Sequence, residues 1–213
     1  MPDRYPGYDV LRKRDTPSWN DKTREVIDAR LALPDEPRFF TWTEWAMVRA
    51  ACDRIVPQPD GRPPVPTAAL LDAKLHGNDT EGYRNVRLPP LREAWRRGLQ
   101  ALEAEAQAAH QAGFAALTLR QQDALLRQMQ QGDLSGAAWG EMPPAMFCSE
   151  RFAHDIVEVY FSHPTAWSEM GWGGPASPRG YVRMGFNRRD AWEPAESHGG
   201  DDARVCKVNR DVR

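Results

Sequence analysis

The sequence predicts an all-α protein. Apolar residues recur at helical spacing through the middle of the chain. Two of these amphipathic segments start with a capping box, at Thr41–Glu44 and at Thr118–Gln121. No segment shows the apolar–polar alternation that is typical of a half-buried strand. We therefore expect about five helices in a compact orthogonal or bundle-like body.

Each expected helix has its own start and stop residues. Capping threonines or paired prolines precede the helices, and proline or glycine follows most of them. In chain order, the predicted helices run from the Thr41 cap to Pro57, from the Thr67 cap to Gly77, from Leu91 to about Ala112 with Gly113 as the stop, from Leu119 to Gln131, and from Pro143-Pro144 to His163.

The distribution of proline and charge predicts three segments. Residues 1–40 contain five prolines and only single apolar anchors, so we expect an extended N-terminal arm with at most one short helix over residues 21–33. Such an arm needs a surface to lie on, either of this chain or of a partner. Residues 41–163 form the helical body. Residues 164–213 are expected to form a docking loop rich in glycine and tryptophan, followed by an extended tail.

Composition and charge exclude several classes of protein. The formal net charge of -2 argues against binding nucleic acid by phosphate neutralisation. No apolar run approaches the roughly 18 residues of a membrane span. The N-terminal residues lack the apolar region of an export signal, so we expect a cytoplasmic protein, or a periplasmic one if it is exported together with a partner. The 3 cysteines are too far apart for a zinc site or a disulfide framework.

The stretch from His163 to Trp192 combines five aromatic residues with five glycines and three prolines. Glycine allows tight turns, while aromatic side chains provide large contact areas at low entropic cost. This pattern favours a docking surface for another protein; the alternative is a coil that folds back on its own helices. The residues predicted to bind a partner are Trp19, Trp167, Trp172, Arg179, Tyr181, Arg183, Phe186 and Trp192.

No catalytic, metal-binding or cofactor-binding motif is found in the sequence. Glu150, His154 and Glu158 share a helix face, but such a cluster is typical of a solvated charged stripe. Cys148 is expected to be a buried structural thiol. Two other hypotheses remain: a free-standing helical enzyme that uses Cys148 or this cluster, and a general helical adaptor without a link to redox chemistry.

Several motifs resemble those of the gluconate 2-dehydrogenase subunit 3 family. Their order and spacing match over about residues 40 to 185. The motifs are Cys52-Asp53-Arg54-Ile55-Val56-Pro57, the proline loop and short helix from Pro66 to Leu75, Tyr83-Arg84, Gly98-Leu99, Phe114 to Leu126, His163-Pro164, Gly171-Trp172-Gly173-Gly174-Pro175 and Gly180-Tyr181.

The resemblance implies a small, non-catalytic subunit of an oxidoreductase complex. In this family, the partner is an FAD-dependent catalytic subunit of the glucose-methanol-choline type that acts on sugars or alcohols, and a cytochrome c subunit often accepts the electrons. The small subunit supports the folding, stability or export of its partner. We therefore expect this chain to carry no cofactor itself, with FAD in the partner. The chain lacks the twin-arginine signal common in the family, so stabilisation of the partner is expected rather than export.

Overall fold

A computed structural model describes residues 3–80, 82, 85–181, 185, 186 and 188–212. Within these residues the protein consists of helices and loops without any strand, which confirms the predicted all-α class. The expected number of about five helices is wrong, because this part of the chain contains eight. They are α1 (Asp21–Leu31), α2 (Trp42–Ile55), α3 (Thr67–Gly77), α4 (Leu91–His110), α5 (Leu119–Gln131), α6 (Pro144–Phe147, a π turn over Cys148–Phe152, and Ala153–Phe161), α7 (Pro164–Glu169) and α8 (Asp202–Arg210).

The two predicted capping boxes are confirmed. In α2 the Thr41 hydroxyl accepts a hydrogen bond from the Glu44 amide, and the Glu44 carboxylate accepts one from the Thr41 amide. Thr118 and Gln121 make the same reciprocal pair at the start of α5, which ends at Gly132 in a left-handed conformation. These helices therefore begin where side-chain chemistry satisfies their first amides.

Two predicted helix boundaries are wrong. Pro66 occupies the cap position of α3 without a side-chain hydrogen bond, and Thr67 is a buried residue inside the helix. Helix α4 ends at His110 because Gln111 adopts a left-handed conformation with a φ of 55°. Gly113 instead precedes a short 3-10 turn at Phe114–Ala116.

Two helices lie where the sequence indicated loop and extended tail. Helix α7 starts at Pro164, a residue whose fixed φ suits the first helical position, and His163 caps it. Helix α8 buries only Val205 and Asn209, so its apolar pattern is too weak to predict a helix. Helix α1 confirms the short helix expected in the arm, with Asn20 as its cap.

The described residues group into two compact units. The body unit comprises residues 34–57 and 66–160, and the arm unit combines residues up to 33, 58–65 and from 161 onward. Residues up to 33 of the predicted N-terminal arm thus belong to the same unit as the predicted C-terminal tail, whereas residues 34–40 belong to the body unit. The surface on which the arm lies is provided by its own chain.

An aromatic cluster forms the core of the body unit. The Trp95 ring stacks on Phe152 with centroids 5.5 Å apart and meets Phe147 edge-on at 5.9 Å. Both phenylalanines belong to α6, whereas Trp95 lies on α4. A Cβ atom on Gly98 would lie 2.1 Å from the Phe147 ring, so α4 and α6 approach this closely only because residue 98 is glycine.

We predict that Gly98→Ala destabilises the body unit by about 1–3 kcal/mol, the usual cost of overpacking a core. The helix propensity of alanine returns only about 1 kcal/mol, and the Phe147 ring cannot move away between Trp95 and Phe152. Urea unfolding would measure the change. Gln100→Ala, at an exposed position of the same helix, is the control and should stay within about 0.5 kcal/mol. Unchanged or increased stability of Gly98→Ala would contradict the packing described here.

Candidate functional site

The arm unit has a small core of its own. Its members come from both ends of the chain: Tyr8, Val10, Trp19, Ile27, Trp167 and Val212. Trp19 and Trp167 are only 2% and 4% exposed, so these two predicted partner-binding residues act as internal anchors of the unit. Burying a large aromatic side chain contributes about 1.5–3 kcal/mol, and these few anchors offset part of the entropy lost in ordering the arm.

Helix α7 positions Trp167 and the residues that follow it. His163 Nδ1 accepts a hydrogen bond from the Thr165 amide at 3.2 Å, which caps the helix. Trp167 Nε1 donates to the Phe161 carbonyl at 2.6 Å. The exposed Trp172 ring meets the buried Trp167 ring edge-on, with centroids 4.9 Å apart. The orientation of Trp172 is therefore set by the core beneath it.

Three side chains hold consecutive carbonyl groups of the loop after α7. Tyr8 Oη donates to the Trp172 carbonyl at 3.0 Å. Lys13 Nζ donates to the Gly173 carbonyl at 2.9 Å, and Tyr181 Oη donates to the Gly174 carbonyl at 3.1 Å. Because the main chain from 172 to 174 is fixed in this way, the loop has a defined conformation without being a helix or strand.

The loop also contains a tight turn at residue 171 that requires glycine. Its φ is 71°, and a Cβ atom there would lie 2.3 Å from the Tyr5 ring. The absence of a side chain at residue 171 therefore leaves room for the Tyr5 ring beside the loop. A larger residue at position 171 would both strain the backbone and displace the tyrosine.

Lys13 is completely buried and connects three segments of the arm unit. Besides the Gly173 carbonyl, its ammonium group donates to the Trp192 carbonyl. Burial, and then the nearby charge of Arg179, lower its pKa from 10.5 to about 8. A buried cation is costly unless its donors are satisfied, so these two carbonyls must stay where they are. The loop and the tail are thereby held by the N-terminal arm.

Trp172 lies between two depressions in the surface of the arm unit. On one side is a cleft of about 800 Å³ whose lining includes Tyr5, Trp172, Arg179, Tyr181, Arg188 and Trp192. We call it the arginine cleft. On the other side is a groove of about 380 Å³, lined by Val26, Arg30, Trp167, Trp172 and Pro175 among others. Trp172 is 39% exposed and Tyr181 66% exposed, which makes both accessible to a partner.

Two further predicted partner-binding residues, Arg179 and Trp192, also line this cleft. The Arg179 guanidinium lies over the Trp192 ring at 4.4 Å from its centroid and donates to Ser18 Oγ at 3.0 Å. Phe186 is 92% exposed, and Arg183 lies outside the described residues. Arg188, Arg189 and Lys13 were not predicted as part of a site. The consecutive arginines Arg188 and Arg189 are evident in the sequence. Lys13 stands between Arg12 and Arg14, and nothing in the sequence distinguishes it from an exposed lysine.

The acidic cluster considered as an alternative site lies in the body unit. Ligand atoms of His154, Asp155 and Glu158 lie within 4.8 Å of one another. Asp155 is buried and accepts hydrogen bonds from Trp95 Nε1 at 2.7 Å and from Lys74 Nζ at 2.9 Å. Lys74 also donates to Glu158. Its ammonium group therefore already occupies the position between the two carboxylates that would bind a metal ion, and the donor set does not fit a cation site.

The lysine keeps its charge in this cluster. Burial opposes the charge of Lys74, but hydrogen bonds to Glu158 and Asp155 together raise its pKa above the ordinary value. Glu150, which was grouped with His154 and Glu158 in the prediction, instead accepts from Asn85 Nδ2 at 3.1 Å. The cluster is therefore best explained as a structural ion pair between α3 and α6.

The environment of Cys148 does not favour a role as a nucleophile. The thiol is buried in the π turn of α6, and this burial raises its pKa. A nucleophilic cysteine requires the thiolate, which is stabilised by nearby positive charge or a helix N-terminus. Cys148 is therefore a poor candidate for covalent catalysis.

Comparisons with known proteins agree with the resemblance seen in the sequence. The model of the family described as Gluconate 2-dehydrogenase subunit 3 matches residues 43–174, more than half of the 213 residues. No curated protein and no solved structure matches the chain. Among the helices in the described residues, none combines the length and apolar character needed to cross a membrane.

We predict that Lys13→Ala releases the tail without unfolding the body unit. Loss of the ammonium group leaves the Gly173 and Trp192 carbonyls without their donor, which typically costs about 1–3 kcal/mol. Limited digestion with chymotrypsin should then cut after Trp192 roughly tenfold faster or more. Lys22→Ala is the control, because Lys22 is exposed and, among the described residues, forms an ion pair with Glu25 alone. Equal cleavage rates in the two variants would contradict the role assigned to Lys13.

We also predict that His163 makes the arm unit sensitive to mild acid. Burial, and then the charge of Arg30, lower the His163 pKa from 6.5 to about 4. The neutral imidazole caps α7, so its contribution to stability is complete above pH 6.5 and is lost as the pH falls towards 4. His163→Asn keeps a capping acceptor but does not titrate. As the pH falls from 6.5 to 4, the melting temperature should decrease less steeply in the variant than in the wild type. Identical slopes would contradict this assignment.

Proposed function

Because the chain belongs to the gluconate 2-dehydrogenase subunit 3 family, we propose that it binds and stabilises the catalytic subunit of a dehydrogenase complex. The partner in this proposal is an FAD-dependent oxidoreductase of the glucose-methanol-choline type that acts on a sugar or an alcohol. FAD and the chemistry reside in that partner, and a cytochrome c subunit is the proposed electron acceptor. The location of the chain in the cell then follows that of its partner.

The observation that carries the proposal is an ordered loop that presents exposed aromatic side chains. The main chain at Trp172, Gly173 and Gly174 is fixed by side chains of its own unit. The rings of Trp172 and Tyr181 nevertheless remain accessible. A protein that only buried these rings in its own core would leave neither of them exposed.

A fixed loop is well suited to binding. Ordering a flexible loop at an interface costs about 0.5–1.5 kcal/mol for each immobilised side chain, and a loop that is already ordered avoids much of this cost. Tryptophan, tyrosine and arginine are the residues that most often dominate the energetics of interfaces. Trp172, Tyr181 and Arg179 occupy adjoining positions around the arginine cleft.

The proposal can be tested by co-purification. A tagged form of the chain, expressed in its natural source, should purify in a fixed ratio with a larger subunit that shows flavin absorbance. Mass spectrometry would identify that subunit. Purification of the tagged chain as a monomer, with no flavin-bearing subunit at low salt, would contradict the proposal.

We predict that Trp172→Ala weakens binding of the partner much more than it destabilises the chain. Truncating an exposed aromatic anchor that becomes buried in an interface typically costs at least about 2 kcal/mol, or roughly thirtyfold in affinity. Trp42→Ala is the matched control, since Trp42 is 70% exposed and lies in the body unit. Its affinity should change by less than about twofold.

Affinity and thermal unfolding should be measured on the same Trp172→Ala protein. The Trp172 ring contacts Trp167, so a small loss of stability is expected in addition to the loss of affinity. A large decrease in melting temperature with intact affinity per folded molecule would show that Trp172 serves the core of its own unit. That result would contradict the proposed docking role.

A further inference from the structure

We propose that the arginine cleft binds a carboxylate-rich, extended peptide segment of the partner subunit. This inference rests on the proposed function and deepens it, because it names the chemistry that the partner presents to this surface. It also names a part of the surface, around Arg188 and Arg189, that lies beyond the aromatic loop itself.

Three guanidinium groups line the cleft without a carboxylate partner among the described residues. Arg179 donates to Ser18 Oγ and to the Gly180 carbonyl and lies over Trp192. Arg189 donates to the carbonyls of Asp190 and Glu193. Arg188 is exposed and makes no ion pair within the described chain. Their charges therefore remain available to an anionic ligand.

The pairing of arginines in the body unit provides a contrast. Arg54, Arg96 and Arg97 each form an ion pair with a carboxylate of the same unit. Unpaired guanidinium groups in a concave surface are different, because their fields add and are less screened than those of isolated surface charges. The whole chain carries a formal net charge of -2, so the positive charge of the cleft is a local feature.

The acidic residues of the cleft do not cancel this charge. Glu196 accepts hydrogen bonds from Arg4 Nε at 2.8 Å, so its carboxylate is already neutralised. Glu193 accepts a hydrogen bond from the Asp190 amide at 2.8 Å. Arg204 forms an ion pair with Asp201, so its charge is already balanced. The hydrogen bond from the Asp190 amide leaves the negative charge of Glu193 in place, so the described lining has three unpaired arginines against one carboxylate and keeps an excess of positive charge.

The aromatic lining favours a peptide over a small anion. Tyr5, Trp172, Tyr181 and Trp192 provide apolar faces between the charged groups. Carboxylates suit arginine because two N–H groups of one guanidinium can bind both carboxylate oxygens. The peptide atoms between successive carboxylates can pack on the aromatic rings. A volume of about 800 Å³ exceeds the needs of a single phosphate or sulfate and accommodates several residues of an extended chain.

The test uses an oligoglutamate peptide and the intact chain, with binding measured by indole fluorescence and calorimetry. The wild type should bind the peptide saturably, and the affinity should decrease as salt is added. The double variant Arg188→Gln/Arg189→Gln should lose about tenfold in affinity or more. The matched control is Arg120→Gln/Arg127→Gln, which removes the same charge from exposed positions of α5 and should change affinity by less than about twofold.

Three results would overturn the inference. One is the absence of saturable binding, and another is an equal loss in both double variants, which would indicate a general charge effect. The third is competition by inorganic phosphate at the affinity of the peptide, which would indicate a simple anion site. A chain that binds oligoglutamate at this cleft but purifies without a flavin-bearing subunit would contradict the proposed function alone. A chain that purifies with that subunit but ignores the peptide would contradict this inference alone.

Discussion

The buried ammonium group of Lys13 is the constraint on which the arrangement of the arm unit depends. The side chain has no exposure to solvent, and its donors reach carbonyl groups of the loop and of the tail. An unsatisfied buried charge is so costly that the conformations of these segments are coupled. The N-terminal arm, the loop at Gly173 and the chain at Trp192 are therefore ordered together.

The two units differ in which side chains they bury and which they leave accessible. The body unit is held by the aromatic cluster around Trp95 and by the ion pairs of Lys74, and both are satisfied internally. The arm unit has fewer buried residues and leaves aromatic and basic groups accessible. The family match ends at Gly174, so it includes Trp172 but not Arg179, Arg188 or Arg189. The part of the chain that matches the family thus includes Trp172, the proposed aromatic anchor, while the three arginines without an ion pair among the described residues follow it in sequence.

Local sequence chemistry was sufficient to predict much of the fold. The capping boxes of α2 and α5 were predictable because each depends on residues three positions apart. Helix α8 was not, because it is held by long-range contacts: Asn209 Nδ2 donates to the Pro6 carbonyl at 3.0 Å and so joins the two ends of the chain. The end of α4 was also not predictable, because glycine was expected to end the helix and Gln111 adopts the left-handed conformation instead.

The candidate site was predictable in composition but not in geometry. Trp172, Tyr181 and Arg179 were identified by residue type, and all three line the same cleft. The same reasoning could not separate them from Trp19 and Trp167, because exposed and buried tryptophans look alike in a sequence. The burial of Lys13 depends on three distant segments, and no local pattern encodes it.

The central claim is that the loop is ordered by its own chain before any partner binds. Hydrogen–deuterium exchange of the isolated chain tests it most directly, at the amides of Trp172 and Ser177. These amides donate to the carbonyls of Trp167 and Ser18, each at 2.9 Å. We predict that both are protected in the isolated chain, and that the hydrogen-bonded amides of the arm-unit helices are protected as well. Exchange at the rate of an unstructured peptide, with protection only after a partner is added, would contradict the account.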